Sequence, residues 1–212
     1  MQVDMADEST IFIWSNGHPY SSKKEYGQMI SLNEQEFGKP FTNVFINTCI
    51  PLAACFSKFV GARNVIVDRE CSENNADVGF FGASALKKST EMGLVDCAWI
   101  VSCADAGNFE CLRLDEFPPN LFKEFGGFKG ISSYTQAINL WNEVPDFPKD
   151  KKNSATTGFI AYLLARKLHS ESRIVLVNFG VRDKRFMRTT KVHDIEFEDM
   201  YFNDNKVERL WI

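Results

Sequence analysis

No run in this chain comes near the roughly 18–20 consecutive apolar residues that a membrane-crossing helix needs, so a spanning segment is not expected. The opening Met1-Gln-Val-Asp-Met-Ala-Asp-Glu8 is acidic and polar, opposite in character to a secretory leader. The six cysteines (Cys49, Cys55, Cys71, Cys97, Cys103, Cys111) include no Cys-X-X-Cys pair and sit mostly in apolar stretches. They read as buried thiols of a reducing compartment, which argues against disulfides or a zinc site and for a cytoplasmic protein. Histidine is scarce as well, and His18, His169 and His193 show no metal-ligand spacing. There is no Walker phosphate loop, no Gly-X-Gly-X-X-Gly and no Gly-X-Ser-X-Gly elbow, so ATPase, dinucleotide-binding and common hydrolase readings lose their usual support. Nor is basic charge in excess: the formal net charge of −4 speaks against a general nucleic-acid binder.

What the chain does have is apolar bulk, 44% of residues with 19 Phe and 4 Trp, enough for the core of one sizeable domain. Short apolar runs at 10–14, 43–48, 64–68, 96–102 and 173–179 read as buried strands. Helical spacing separates several of them: 20–40 reads as a helix plus loop, 51–60 as a helix closed by Gly61, and 80–93 as another. Strands alternating with helices in this way predict a Rossmann-like, mostly parallel α/β sheet flanked by helices, with residues 1–212 as one domain. Residues 109–150, with Pro118-Pro119, Gly126-Gly127 and Pro145, read as a less regular segment suited to an acceptor site or lid. The last stretch, from Val192 to Ile212, reads as an amphipathic helix packing back on the domain.

The most informative stretch is Asn153-Ser-Ala-Thr-Thr-Gly158, which opens the apolar helix Phe159–Leu168. A helix start of this kind offers unpaired backbone N–H groups, hydroxyls and the positive end of the helix dipole, which together hold an anion, most often a phosphate. Lys149, Lys151 and Lys152 lie just upstream and would strengthen it. The same equipment also makes an ordinary capped core helix. In a parallel sheet ligands bind outside the carboxyl ends of the strands, which puts Ser15, Asn16 and Gly17 after the first strand and Asn47 after the second at the same crevice. His193 follows the basic loop Arg182–Lys191, and a neutral imidazole there suits deprotonation of a hydroxyl near neutral pH; Asp194 and Glu198 beside it would orient the ring or partner the helix dipole.

These residues resemble a known family. Thr156-Thr157-Gly158-Phe159, followed by an apolar helix and a strand, is similar to the small-motif region of sialyltransferases, and His193-Asp-Ile-Glu-Phe-Glu198 resembles their His-X-X-X-X-Glu motif. Ser15-Asn16-Gly17 is similar to the Gly-Asn-Gly or Gly-Asn-Ser turn of the same enzymes, with Ser15 in place of its first glycine, and Asn47 to the asparagine of their large motif, with Phe45-Ile46 where an arginine commonly precedes it. The resemblance implies a sialyltransferase-like, GT-B-related fold. It implies an inverting, metal-independent glycosyltransferase with no cofactor beyond its donor substrate, a CMP-activated acidic sugar, either sialic acid or Kdo. His193 would be the catalytic base, Glu198 a supporting residue, and Asn16, Gly17, Asn47, Ser154, Thr156, Thr157 and Gly158 the nucleotide-binding set. The partners implied are the nucleotide-sugar donor and a glycan acceptor, with no nucleic acid, and peripheral membrane association left open. Two other classes stay open on the residues alone: a non-catalytic nucleotide- or anion-binding module, and a phosphate-ester hydrolase using His193.

Overall fold

The computed structural model describes residues 9–15, 23–36, 38–46, 62–69, 97–105, 108–114, 135–138, 144–147, 155–179 and 194–212. Along the chain these form β1 (Thr10–Trp14), α1 (Lys23–Gln35), β2 (Phe41–Ile46), β3 (Ala62–Arg69), β4 (Cys97–Asp105), β5 (Asn108–Leu114), β6 (Thr135–Ile138), α2 (Thr157–Leu168), β7 (Arg173–Val177), α3 (Ile195–Asp204) and β8 (Glu208–Leu210). All the strands join one sheet in the order β6-β5-β4-β3-β2-β1-β7-β8. From β4 across to β8 every neighbouring pair is parallel, while β5 and β6 continue the sheet antiparallel beyond β4. The protein therefore has the mostly parallel α/β architecture expected from its alternation of strands and helices.

The run Thr-Ile-Phe-Ile-Trp is apolar on both sides because β1 is central, with β2 on one flank and β7 on the other, and all five residues are buried. Alternation along the strands then separates two cores. On one face Ile11, Ile13, Val44, Ile46, Val65, Val67 and Leu176 pack against α2. That helix is buried continuously from Thr157 to Ala165, since its outer side is covered in turn. There Phe159 stacks on Phe147 at 5.7 Å between ring centroids and meets Tyr201 and Phe202 of α3 edge-on at 5.3 and 5.5 Å.

The opposite face carries Phe12, Trp14, Phe41 and Phe45, and at its centre three fully or almost fully buried asparagines. Asn43 of β2 donates from Nδ2 to Oδ1 of Asn33 on α1 (2.9 Å) and to Oδ1 of Asn64 on β3 (3.3 Å), and its own Oδ1 accepts the indole N–H of Trp14 (3.0 Å). Asn33 donates onward to the carbonyl of Met29 (3.2 Å). Because Asn43 alternates with Val44, this network places α1 on the face away from α2.

Two expectations are corrected in outline. Residues 108–114 and 135–138, within or beside the stretch read as irregular, are the strands β5 and β6, with β6 at the edge of the sheet. The C-terminal segment is not one helix: α3 ends at Asp204 and the chain turns into β8. The terminator is a Schellman motif made without glycine. Lys206 is left-handed (φ 51°), its N–H donates to the carbonyl of Asn203, and Val207 N–H donates back to Phe202. Beyond the turn, Arg209 on β8 reaches back to Asp199 and Asn203 of α3. At the far end of β7, Arg173 makes a bidentate pair with Glu208 (2.9 and 2.5 Å), which favours its charged form further. Half exposed, that pair contributes at most about 1 kcal/mol. The helices expected at 51–60 and 80–93 lie outside the described residues. No helix among the described residues is long and apolar enough to cross a membrane.

Candidate functional site

Strand order reverses at β1. The chain leaves it on one side through β2, β3 and β4 and returns on the other through β7 and β8. In open α/β sheets the crevice outside the carboxyl ends of such a pair is where ligands bind. Ser15, just past β1, extends the ladder by donating its N–H to the carbonyl of Val177 at the end of β7 (3.1 Å).

The start of α2 lies at this edge, as one glycine makes plain. A Cβ on Gly158 would stand 2.5 and 2.9 Å from Cε1 and Cζ of Phe179, two residues past β7, and 3.3 Å from Cδ1 of Ile46, the last residue of β2. Gly158 is thus required by the approach of α2 to the strand ends, with the Phe179 ring held in turn against Phe202 at 6.1 Å.

Thr156 is the N-cap. Its backbone is extended (φ −68°, ψ 151°) and its Oγ1 accepts the N–H of Phe159 at 3.0 Å, the geometry that satisfies one orphan donor of the first turn. The anion that this helix start attracts is already present within the chain. Glu198, one turn into α3, accepts the N–H of Thr156 at Oε1 and its hydroxyl at Oε2, both at 2.6 Å, and is 4% exposed. A buried carboxylate is tolerated when short hydrogen bonds and a helix dipole meet it, and here both do. The cap uses the N–H of Thr156 and Phe159, and that of Ile160 goes to the Thr156 carbonyl. Glu198→Gln keeps the shape but exchanges a charged acceptor for a neutral amide. It is expected to lower the free energy of unfolding by about 1–3 kcal/mol, read from urea denaturation; an unchanged midpoint would mean the carboxylate contributes nothing to holding α3 on α2.

Of the residues expected to form the site, Thr156, Thr157, Gly158 and Glu198 are therefore brought together. Thr156 and Glu198 bond to each other, and Thr157 and Gly158 are buried in the first turn beside them. Asn16, Gly17, Asn47, Ser154 and His193 lie outside the described residues. Their chain neighbours Ser15 and Ile46 border the carboxyl edge of the sheet, Ala155 is buried just ahead of the N-cap of α2, and Asp194 caps α3, its Oδ1 accepting the N–H of Phe197 at 3.2 Å. Among the described residues, no group of three or more His, Cys, Asp or Glu is placed to hold a metal ion.

One residue at this edge escaped the sequence reading. Asn178, the first residue past β7, is buried with a left-handed backbone (φ 59°). An amide side chain closing an otherwise apolar strand, Ile174-Val-Leu-Val-Asn178, is the signal that was there to be used.

The fold and site together define a mostly parallel α/β protein with a carboxylate-capped helix start at its switch-point edge. Comparison with protein-family models, characterised proteins and solved structures finds no match.

Proposed function

We propose that this protein is a sialyltransferase-like glycosyltransferase. It moves an acidic sugar, sialic acid or Kdo, from a CMP donor to a glycan hydroxyl with inversion. The observation that carries this reading is the pair of 2.6 Å hydrogen bonds from Thr156 to Glu198. They join the glutamate of the His-X-X-X-X-Glu segment to the helix start of the Thr-Thr-Gly segment, although the two are 42 residues apart in the chain. Two segments noted separately for their likeness to one family are thereby adjacent at the switch-point edge where a ligand is expected.

In this reading the donor phosphate meets the first turn of α2 at Thr157 and Gly158, with Ser154 as a further donor and Lys149, Lys151 and Lys152 balancing its charge as CMP departs. Thr156 has a changed role: it holds Glu198 and caps the helix instead of touching the nucleotide. Asn16, Gly17 and Asn47 position the nucleoside, and His193 takes the proton from the acceptor hydroxyl, with attack in line with the departing phosphate. The charge balance requires no metal. Calorimetric titration with CMP tests the reading: saturable binding is expected, and Thr157→Ala should weaken it by about 1 kcal/mol or more, the scale of one hydrogen bond to a charged group. Absence of CMP binding at millimolar concentration would overturn the proposal.

A further inference from the structure

We propose that the side-chain amide of Asn178 is a ligand donor, giving a hydrogen bond to an acceptor oxygen of the nucleotide at the switch-point edge. The identity of the ligand rests on the transferase reading; the donor rests on the geometry of Asn178. The backbone N–H of this residue donates to the carbonyl of Leu210 (2.8 Å), and its Oδ1 accepts the N–H of Ile212 (3.0 Å). The second bond fixes which way the amide lies, because only the oxygen can accept. Nδ2 is therefore turned away from Ile212, and it is buried with no hydrogen-bond acceptor.

Neither structural task of this residue calls for that nitrogen. The left-handed turn would be met by glycine at no steric cost, and the bond to Ile212 by any acceptor, an aspartate included. A buried N–H left unpaired is destabilising, and such groups are few in native proteins. An acceptor delivered from outside removes the penalty. Asn178 stands where one would arrive, directly past the carboxyl end of β7, the strand that flanks β1 at the reversal of strand order. A neutral amide donor suits a hydroxyl, carbonyl or phosphate oxygen, all of which CMP carries.

The test is calorimetric titration of CMP and of cytidine into the wild-type chain, Asn178→Asp and Asn178→Gly. Both variants tolerate the left-handed backbone; the first keeps the acceptor for Ile212 and removes the donor, and the second removes both. Each is expected to bind CMP about tenfold or more weakly than wild type. A parallel loss for cytidine places the acceptor on the nucleoside, and a loss for CMP alone places it on the phosphate. In the wild type, the side-chain amide resonances of Asn178 should shift on adding CMP. Folded variants that bind CMP within twofold of wild type, or unmoved amide resonances in a wild type saturated with CMP, overturn the assignment and leave the transferase reading intact. Failure of the wild type to bind CMP overturns that reading instead. If neither variant folds, the wild-type resonances decide.

Discussion

Replacing His193 by alanine is expected to lower transfer from a CMP-activated donor by on the order of 10²–10⁴-fold, the usual contribution of a positioned general base. CMP affinity should stay close to wild type, because in the proposed mechanism the imidazole touches the acceptor and not the nucleotide. The expectation is anchored by the residues just after it. Asp194 caps α3, and Glu198, one turn further on, is fastened to Thr156 at the start of α2. The helix beginning immediately after His193 is thus tied to the proposed phosphate-holding turn. The measurement is initial transfer rate at saturating donor, with CMP titrated separately. Transfer retained in the alanine variant would sink His193 as the base, and a parallel loss of CMP binding would mean that its role is in binding.

The second large effect is on stability. Asn43→Leu is close to isosteric, yet Trp14, Asn33 and Asn64 each lose the bond they make to that side chain, in a region from which water is excluded. Each broken buried bond costs about 1–3 kcal/mol, and since neighbours in one network do not add, a total of roughly 3–5 kcal/mol is expected. Urea denaturation reads it as a large fall in midpoint. The network reading makes a sharper demand in a double-mutant cycle: Asn33→Leu should cost less in the Asn43→Leu background than alone, because its main partner is already gone. Strictly additive costs would show that the asparagines act independently and that the loss is one of packing.

Much of the fold was legible because its signal is local. The runs at 10–14 and 173–179 are largely apolar on both faces, and a sheet covered on both sides accommodates such strands, so β1 and β7 followed from composition and length. The start of α2 was legible for the same reason, since a cap writes itself into adjacent residues. The rest depends on partners far along the chain. Asn33, Asn43 and Asn64 look like three unrelated polar residues until the register of β2 with β3 brings two of them side by side. Glu198 bonds Thr156, 42 residues away in the chain, through both of its oxygens; sequence shows a helix start that attracts an anion and not which anion arrives. The end of α3 was missed because its left-handed residue is a lysine, which gives no warning of the turn that a glycine would have announced. Asn178 was passed over because strand periodicity explains its neighbours and says nothing about a residue whose φ leaves the strand.

The pairing of β1 with β7 has a consequence for how the chain comes to be made. The register sets Thr10 against Arg173, and Ser9 meets Ser172 across a separation of 163 residues. During synthesis from the N-terminus, β1 finds β2 early, but its other flank stays open until residues 173–177 have been made. An apolar strand with one unpaired edge is a template for association with other chains. Closing the sheet late, across a long loop, is intrinsically slow. The centre of this fold is therefore its most exposed feature during biogenesis, and its vulnerable interval ends only when β7 arrives.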